Sequence, residues 1–102
     1  MRVVTEHERL PVPEARAGRA EAWNVLLARY RLPLYAYVFE LHHQEQTSLD
    51  IVQETFISAA RHIGSLQDDE KFGSWLFSIA HQKCVQQWRK QISRGGPPRS
   101  AG

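Results

Sequence analysis

Ser48-Leu49-Asp50-Ile51-Val52-Gln53-Glu54-Thr55-Phe56-Ile57-Ser58-Ala59-Ala60-Arg61-His62-Ile63 sorts into two faces when it is wound as a helix. At about 100° per residue, Ser48, Val52, Thr55, Phe56, Ala59 and Ile63 fall on one stripe, and Asp50, Gln53, Glu54, Ile57 and Arg61 fall opposite. The first stripe predicts a core face and the second a solvent face. Thr47-Ser48-Leu49-Asp50, a hydroxyl followed by an acid, marks the expected start. Gly64 marks the expected end.

Working outward, the same period recurs on both sides. Upstream, Trp23, Leu26, Leu27 and Tyr30 lie at i, i+3, i+4 and i+7, which predicts a helix beginning near Arg19. Pro33 suits a first turn and not a helix interior, so the pattern predicts a break there and a second helix to Leu41, burying Leu34, Val38 and Leu41. Downstream, a short acidic loop from Gly64 to Lys71 leads into a fourth helix reaching about Gln91. Its inner face is Phe72, Trp75, Leu76, Ile79 and Ala80, widened by Phe77, Cys84 and Trp88. Its polar strip holds Ser78, His81, Gln82 and Arg89, with Lys83 and Lys90 on the flanks or the far side. No strand candidate interrupts these segments, so the expectation is an all-α bundle of about four helices. The boundaries expected are a loose arm over 1–18, a helical domain over 19–92, and a linker or tail over 93–102, where Ser-Arg-Gly-Gly-Pro-Pro is linker-like.

A chain of 102 residues, 42% of them hydrophobic, suits one small domain. No apolar run approaches the roughly 20 residues that span a bilayer, and Met1-Arg2-Val3-Val4-Thr5-Glu6 lacks the apolar stretch of a signal peptide, so the expectation is a cytosolic chain with no membrane partner. The single Cys84 excludes an internal disulfide. The net charge of +2 hides a polarity along the chain. Leu41 to Glu70 carries six acids against Arg61 alone, whereas Lys71 onward carries six bases and no acid. The last third therefore suits a polyanion.

Asp50-Ile51-Val52-Gln53-Glu54-Thr55-Phe56, then Phe72, then Trp75-Leu76-Phe77-Ser78-Ile79-Ala80 resembles region 2 of the extracytoplasmic-function (ECF) sigma factors. The resemblance covers roughly Arg19 to Lys90. It implies a helical bundle that catalyses no bond chemistry and needs no cofactor or metal. It also implies two partners: a helical coiled coil on the largest subunit of RNA polymerase, and the non-template strand of the minus-ten promoter element. Asp50, Gln53 and Glu54 would form the polymerase surface, with Ile57 beside them as an outward apolar residue ringed by polar groups. The Gly64 to Phe72 loop and the fourth helix would form the DNA surface, with Lys71, Phe72, Ser78, His81, Gln82, Lys83, Arg89 and Lys90 as its candidate residues.

Some positions depart from the common pattern of that family. Gln82 stands where Asn is frequent, Gln86 where Asp is frequent, and Leu49 where an acid often precedes the aspartate. A longer amide at Gln82 moves its hydrogen-bonding head by about one methylene, which bears on base preference. Ser78 and Ile79 occupy the places where housekeeping sigma factors carry paired tryptophans, which points to the alternative group. Sigma factors of that group carry a second helical domain that reads the minus-35 element, and this sequence ends in what resembles the connecting linker, which leaves a piece of a longer chain and a lone domain as alternatives.

Two other readings compete. His42-His43, and His81 with Cys84, are metal-ligand types, yet neither group supplies the three or four ligands zinc requires. The stronger rival is a sigma-like interaction module that binds polymerase or an anti-sigma factor without reading DNA.

Overall fold

The computed structural model describes residues 10–93, and all regular structure among them is helical. Four α-helices occur: α1 (Val12–Arg16), α2 (Ala20–His42), α3 (Glu45–His62) and α4 (Phe72–Ser93). Two 3-10 turns, Ile63–Ser65 and Asp69–Lys71, join α3 to α4. Met1 to Arg9 and residues 94–102, and with them half of the expected arm and nearly all of the expected linker, lie outside the described residues.

The core is built by α2, α3 and α4. Leu26, Leu34 and Val38 of α2 meet Ile51, Val52, Phe56 and Ala59 of α3 and Leu76, Ala80 and Cys84 of α4, all buried. Every residue of the expected inner stripe of α3 is buried, and Asp50, Gln53, Glu54, Ile57 and Arg61 are exposed. The two buried hydroxyls of that stripe bond within the helix: Ser48 Oγ donates to the Gln44 carbonyl at 2.7 Å and Thr55 Oγ1 to the Ile51 carbonyl at 2.7 Å. These small side chains thus enter the core with their donors satisfied. Ile79 is only half-buried at the edge of the cluster, less enclosed than its place on the expected inner face implied.

Three local expectations are corrected. The chain does not break at Pro33; α2 runs through it for 23 residues. Pro33 and Arg29 are both exposed, so the carbonyl that loses its partner faces water, while Leu26, Leu34 and Val38 anchor the helix on either side. α3 begins at Glu45, three residues before Ser48, because the Ser48 hydroxyl bonds back into the first turn instead of capping it. The link from α2 is correspondingly tight. His43 closes α2 in the left-handed region at φ 58° and donates its N–H to the Phe39 carbonyl at 2.7 Å.

The third correction is α1, inside the segment expected to be a loose arm. Five residues are too few to display a period, so its signal lay only in Val12 and Ala15, both buried. Trp23 fixes it to α2, its indole N–H donating to the Ala15 carbonyl at 3.0 Å.

Candidate functional site

α3 presents Asp50, Gln53, Glu54 and Ile57 outward along two turns. Asp50 accepts a hydrogen bond from the Gln46 side-chain amide at 3.0 Å, one turn earlier. Ile57 is half exposed, as is Leu49. This strip is a ridge between two grooves. On one side a groove of about 370 Å³ separates α3 from α4, lined by Asp50, Gln53, Glu54 and Ile57 from α3 and by Lys83, Gln86, Gln87 and Lys90 from α4. On the other side a groove of about 680 Å³ lies between α2 and α3 and is largely apolar, with Leu27, Leu32, Tyr35, Leu49, Phe56 and Ile57 in its wall.

The apolar groove is what sequence reasoning missed. Leu32 is 73% exposed and follows an arginine, so no stripe on α2 announces it. On α3 a signal was present: Leu49, Phe56, Ile57 and Ala60 fall within about 100° of arc, a second apolar stripe beside the core stripe. Leu49, noted as a loss of acidity, belongs to this wall.

α4 divides the candidate DNA residues into groups. Ser78, Gln82 and Arg89 lie within about 40° of arc and are exposed, forming one outward strip. The Ser78 hydroxyl donates to the Trp75 carbonyl at 2.7 Å, which leaves its oxygen to act as an acceptor. His81 lies toward α2, where its Nδ1 is 2.9 Å from the Tyr37 hydroxyl, and Tyr37 in turn packs edge-on against Phe77. Lys83 and Lys90, seven residues apart and hence on one flank, line the groove shared with the α3 acids. They sit at the boundary between the two expected surfaces and not at the centre of the α4 strip.

Phe72 requires a correction. Expected at the DNA surface, it is 1% exposed, and its ring lies 5.7 Å from Tyr30, 5.7 Å from Trp75 and 6.4 Å from Trp23. It opens α4 and inserts into an aromatic cage on α2, so it fastens the preceding loop to the bundle and offers no face to a base. Lys71, beside it, is exposed.

The loop itself is held at several points. Leu66 is buried beneath it. The Asp68 carboxylate accepts from the Glu70 N–H at 3.0 Å, and the Asp68 carbonyl accepts from the Lys71 N–H at 2.9 Å. From α1, the Arg16 guanidinium donates to the Leu66 carbonyl at 3.3 Å and pairs with the Asp69 carboxylate. Of the ionisable groups, Cys84 is displaced: burial pushes its thiol above the ordinary range, as befits a residue sealed in the core. No helix among the described residues is long and apolar enough to cross a membrane.

Comparison with known proteins agrees with this arrangement. The family model described as Sigma-70 region 2 matches residues 26–94. The chain is 29% identical over 75 residues to the RNA polymerase sigma-H factor of Pseudomonas aeruginosa, covering 74% of this chain and 39% of that protein. It is 36% identical over 84 residues to the ECF RNA polymerase sigma factor BldN of Streptomyces coelicolor, covering 81% of this chain and 32% of that protein. With RNA polymerase sigma factor YlaC of Bacillus subtilis the figures are 27% over 67 residues, 66% and 39%. The chain thus spans 32% to 39% of the length of these relatives. No solved structure gave a significant match. With most of α2 and all of α3 and α4 inside the matched span, and the α3 and α4 outward strips both within it, the chain belongs to the sigma-70 region 2 family.

Proposed function

We propose that this chain is the promoter-engaging domain of an ECF-type sigma factor, acting in the cytoplasm in transcription initiation. In this reading α3 docks on the coiled coil of the polymerase largest subunit, and the loop and α4 take the non-template strand of the minus-ten element. The observation that carries it is the family match over 26–94 together with its two outward strips on successive helices. Asp50, Gln53, Glu54 and Ile57 supply a polar ridge with one apolar centre, the makeup of a protein interface. Ser78, Gln82 and Arg89 supply an acceptor, an amide and a cation along one line. That set suits a strand whose phosphates and unstacked bases are both within reach. Lys71 extends the cationic line at the loop, His81 borders it, and Lys83 and Lys90 neutralise the rim next to the ridge. The role requires no bond chemistry.

The test is to titrate two variants against a polymerase coiled-coil fragment and a fluorescent single strand. Glu54→Lys reverses a charge on the ridge and is expected to lose the coiled coil while keeping the strand. Arg89→Ala is expected to keep the coiled coil and weaken the strand, flattening the slope of log K against log salt by about 0.7, the share of one cation on single-stranded nucleic acid. Coiled-coil binding unchanged in a folded Glu54→Lys protein would falsify the α3 assignment. A wild-type chain that binds the coiled coil and no strand would favour the interaction-module reading, for which exposed Leu32 and Leu49 provide an apolar contact.

A further inference from the structure

Three acids, Asp68, Asp69 and Glu70, stand in the loop that the proposed function brings against a polyanion. Placed there without compensation they would repel the strand. Asp68 is occupied with the turn, accepting from the Glu70 N–H. Asp69 is answered from 53 residues away by Arg16, whose guanidinium also holds the Leu66 carbonyl at 3.3 Å.

The bracket is set on a firm base. Arg16 ends α1, a helix short enough that it depends on its anchors, Val12 and Ala15 in the core and the Trp23 indole on the Ala15 carbonyl. Its other end grips the loop on both sides of Asp68: a backbone carbonyl before it and a carboxylate after it. Arg16 and Asp69 each keep about a third of their side-chain surface exposed, so the pair adds little to global stability. Its effect is on the shape of one loop.

We propose that Arg16 is a positioning residue for strand recognition: by bridging the Leu66 carbonyl and Asp69 it fixes the 63–71 loop in the form that receives single-stranded DNA. This rests on the proposed function. A direct phosphate contact by Arg16 makes different predictions, and so does a purely structural role.

The experiment uses the 102-residue chain as wild type, Arg16→Ala, Asp69→Ala and the double variant. Thermal melting checks that all are folded. Amide exchange in 67–71 without DNA reads the loop, and titration with a fluorescent oligonucleotide reads recognition. That oligonucleotide is one the wild type itself selects from a random single-stranded pool, with a scrambled strand as control. Arg16→Ala is expected to speed exchange in the loop and to weaken the selected strand about three- to fivefold, the scale of one exposed ion pair, with the scrambled strand little changed. The salt slope should stay as in wild type, since no phosphate contact is removed. Asp69→Ala decides the matter by its sign. Field effects alone predict tighter binding once a carboxylate beside a polyanion is gone, whereas loss of the bracket predicts weaker binding, with the double variant no worse than either single one. Unchanged loop exchange in Arg16→Ala, tighter binding by Asp69→Ala, or additive effects in the double variant would each overturn the proposal. A wild type that selects no strand overturns the functional reading and its recognition half, while the exchange data still test the bracket.

Discussion

Replacing Phe72 by alanine separates a core role from a DNA role at the residue where sequence and structure disagree most. The ring is 1% exposed and touches the rings of Trp23, Tyr30 and Trp75. Truncation removes the transfer energy of the ring and leaves a cavity among groups that are themselves large and locked. The cost for a buried phenylalanine is about 3–5 kcal/mol. Three aromatic neighbours place this site toward the upper end. A chain of this size has about 5–15 kcal/mol of net stability, so the variant stays folded only if the wild type lies well inside that range. With a urea slope of about 1.5 kcal/mol per molar, the midpoint should fall by about 2–3 M. Tryptophan fluorescence is a suitable probe, since Trp23 and Trp75 flank the site. Phe72→Leu keeps most of the volume and should cost about 1 kcal/mol. Phe72→Leu keeps the anchor of the loop, so its single-strand affinity, corrected for the folded fraction, should match wild type, whereas Phe72→Ala should weaken the strand only as far as its loop exchanges faster. An unmoved urea midpoint with collapsed strand binding would show that Phe72 meets the strand and that its caged position is wrong.

Two further perturbations test the packing. A Cβ on Gly73 would lie 2.9 Å from the Tyr30 hydroxyl and 3.4 Å from its ring, so Gly73→Ala should destabilise by about 1 kcal/mol despite the better helix propensity of alanine. Tyr30→Phe in that background should recover part of the loss; strictly additive midpoints would refute the contact. For Cys84, burial holds the thiol protonated in the native state above the pH at which the unfolded chain ionises. The unfolded state then binds fewer protons, so stability should be flat below the ordinary thiol range and fall as pH rises through it. Urea midpoints across that interval in wild type and Cys84→Ala check this. A slope that persists in the alanine variant belongs to other groups.

The parts of the fold legible in the sequence were those whose period runs unbroken. Sixteen residues, Ser48 to Ile63, running through α3 into the turn after it, carry both a core stripe and a polar stripe; every member of each is placed as expected, and Ile51, beside the core stripe, is buried as well. α2 was harder, because Pro33 is a strong local signal and the force that overrides it is tertiary. Leu34 and Val38 continue the face begun by Leu26, and the lost hydrogen bond is on the wet side. α1 is held by the Trp23 indole, a contact that no local pattern encodes. Phe72 was misplaced for the opposite reason: it heads a helix beside a polar loop, a position that looks exposed until α2 supplies the cage. For the candidate surfaces, outward position was readable from helical phase, and Ser78, Gln82 and Arg89 are all exposed. The sharing of the α3–α4 groove by Lys83 and Lys90 was not readable, since it depends on which flank of α4 faces α3.

Gln53 and Ile57 line the polar groove against α4 and also the apolar groove against α2. The ridge is thus a shared wall: a substitution at Gln53 or Ile57 reshapes both grooves at once, whereas one at Lys83 or Leu32 reaches only the groove on its own side.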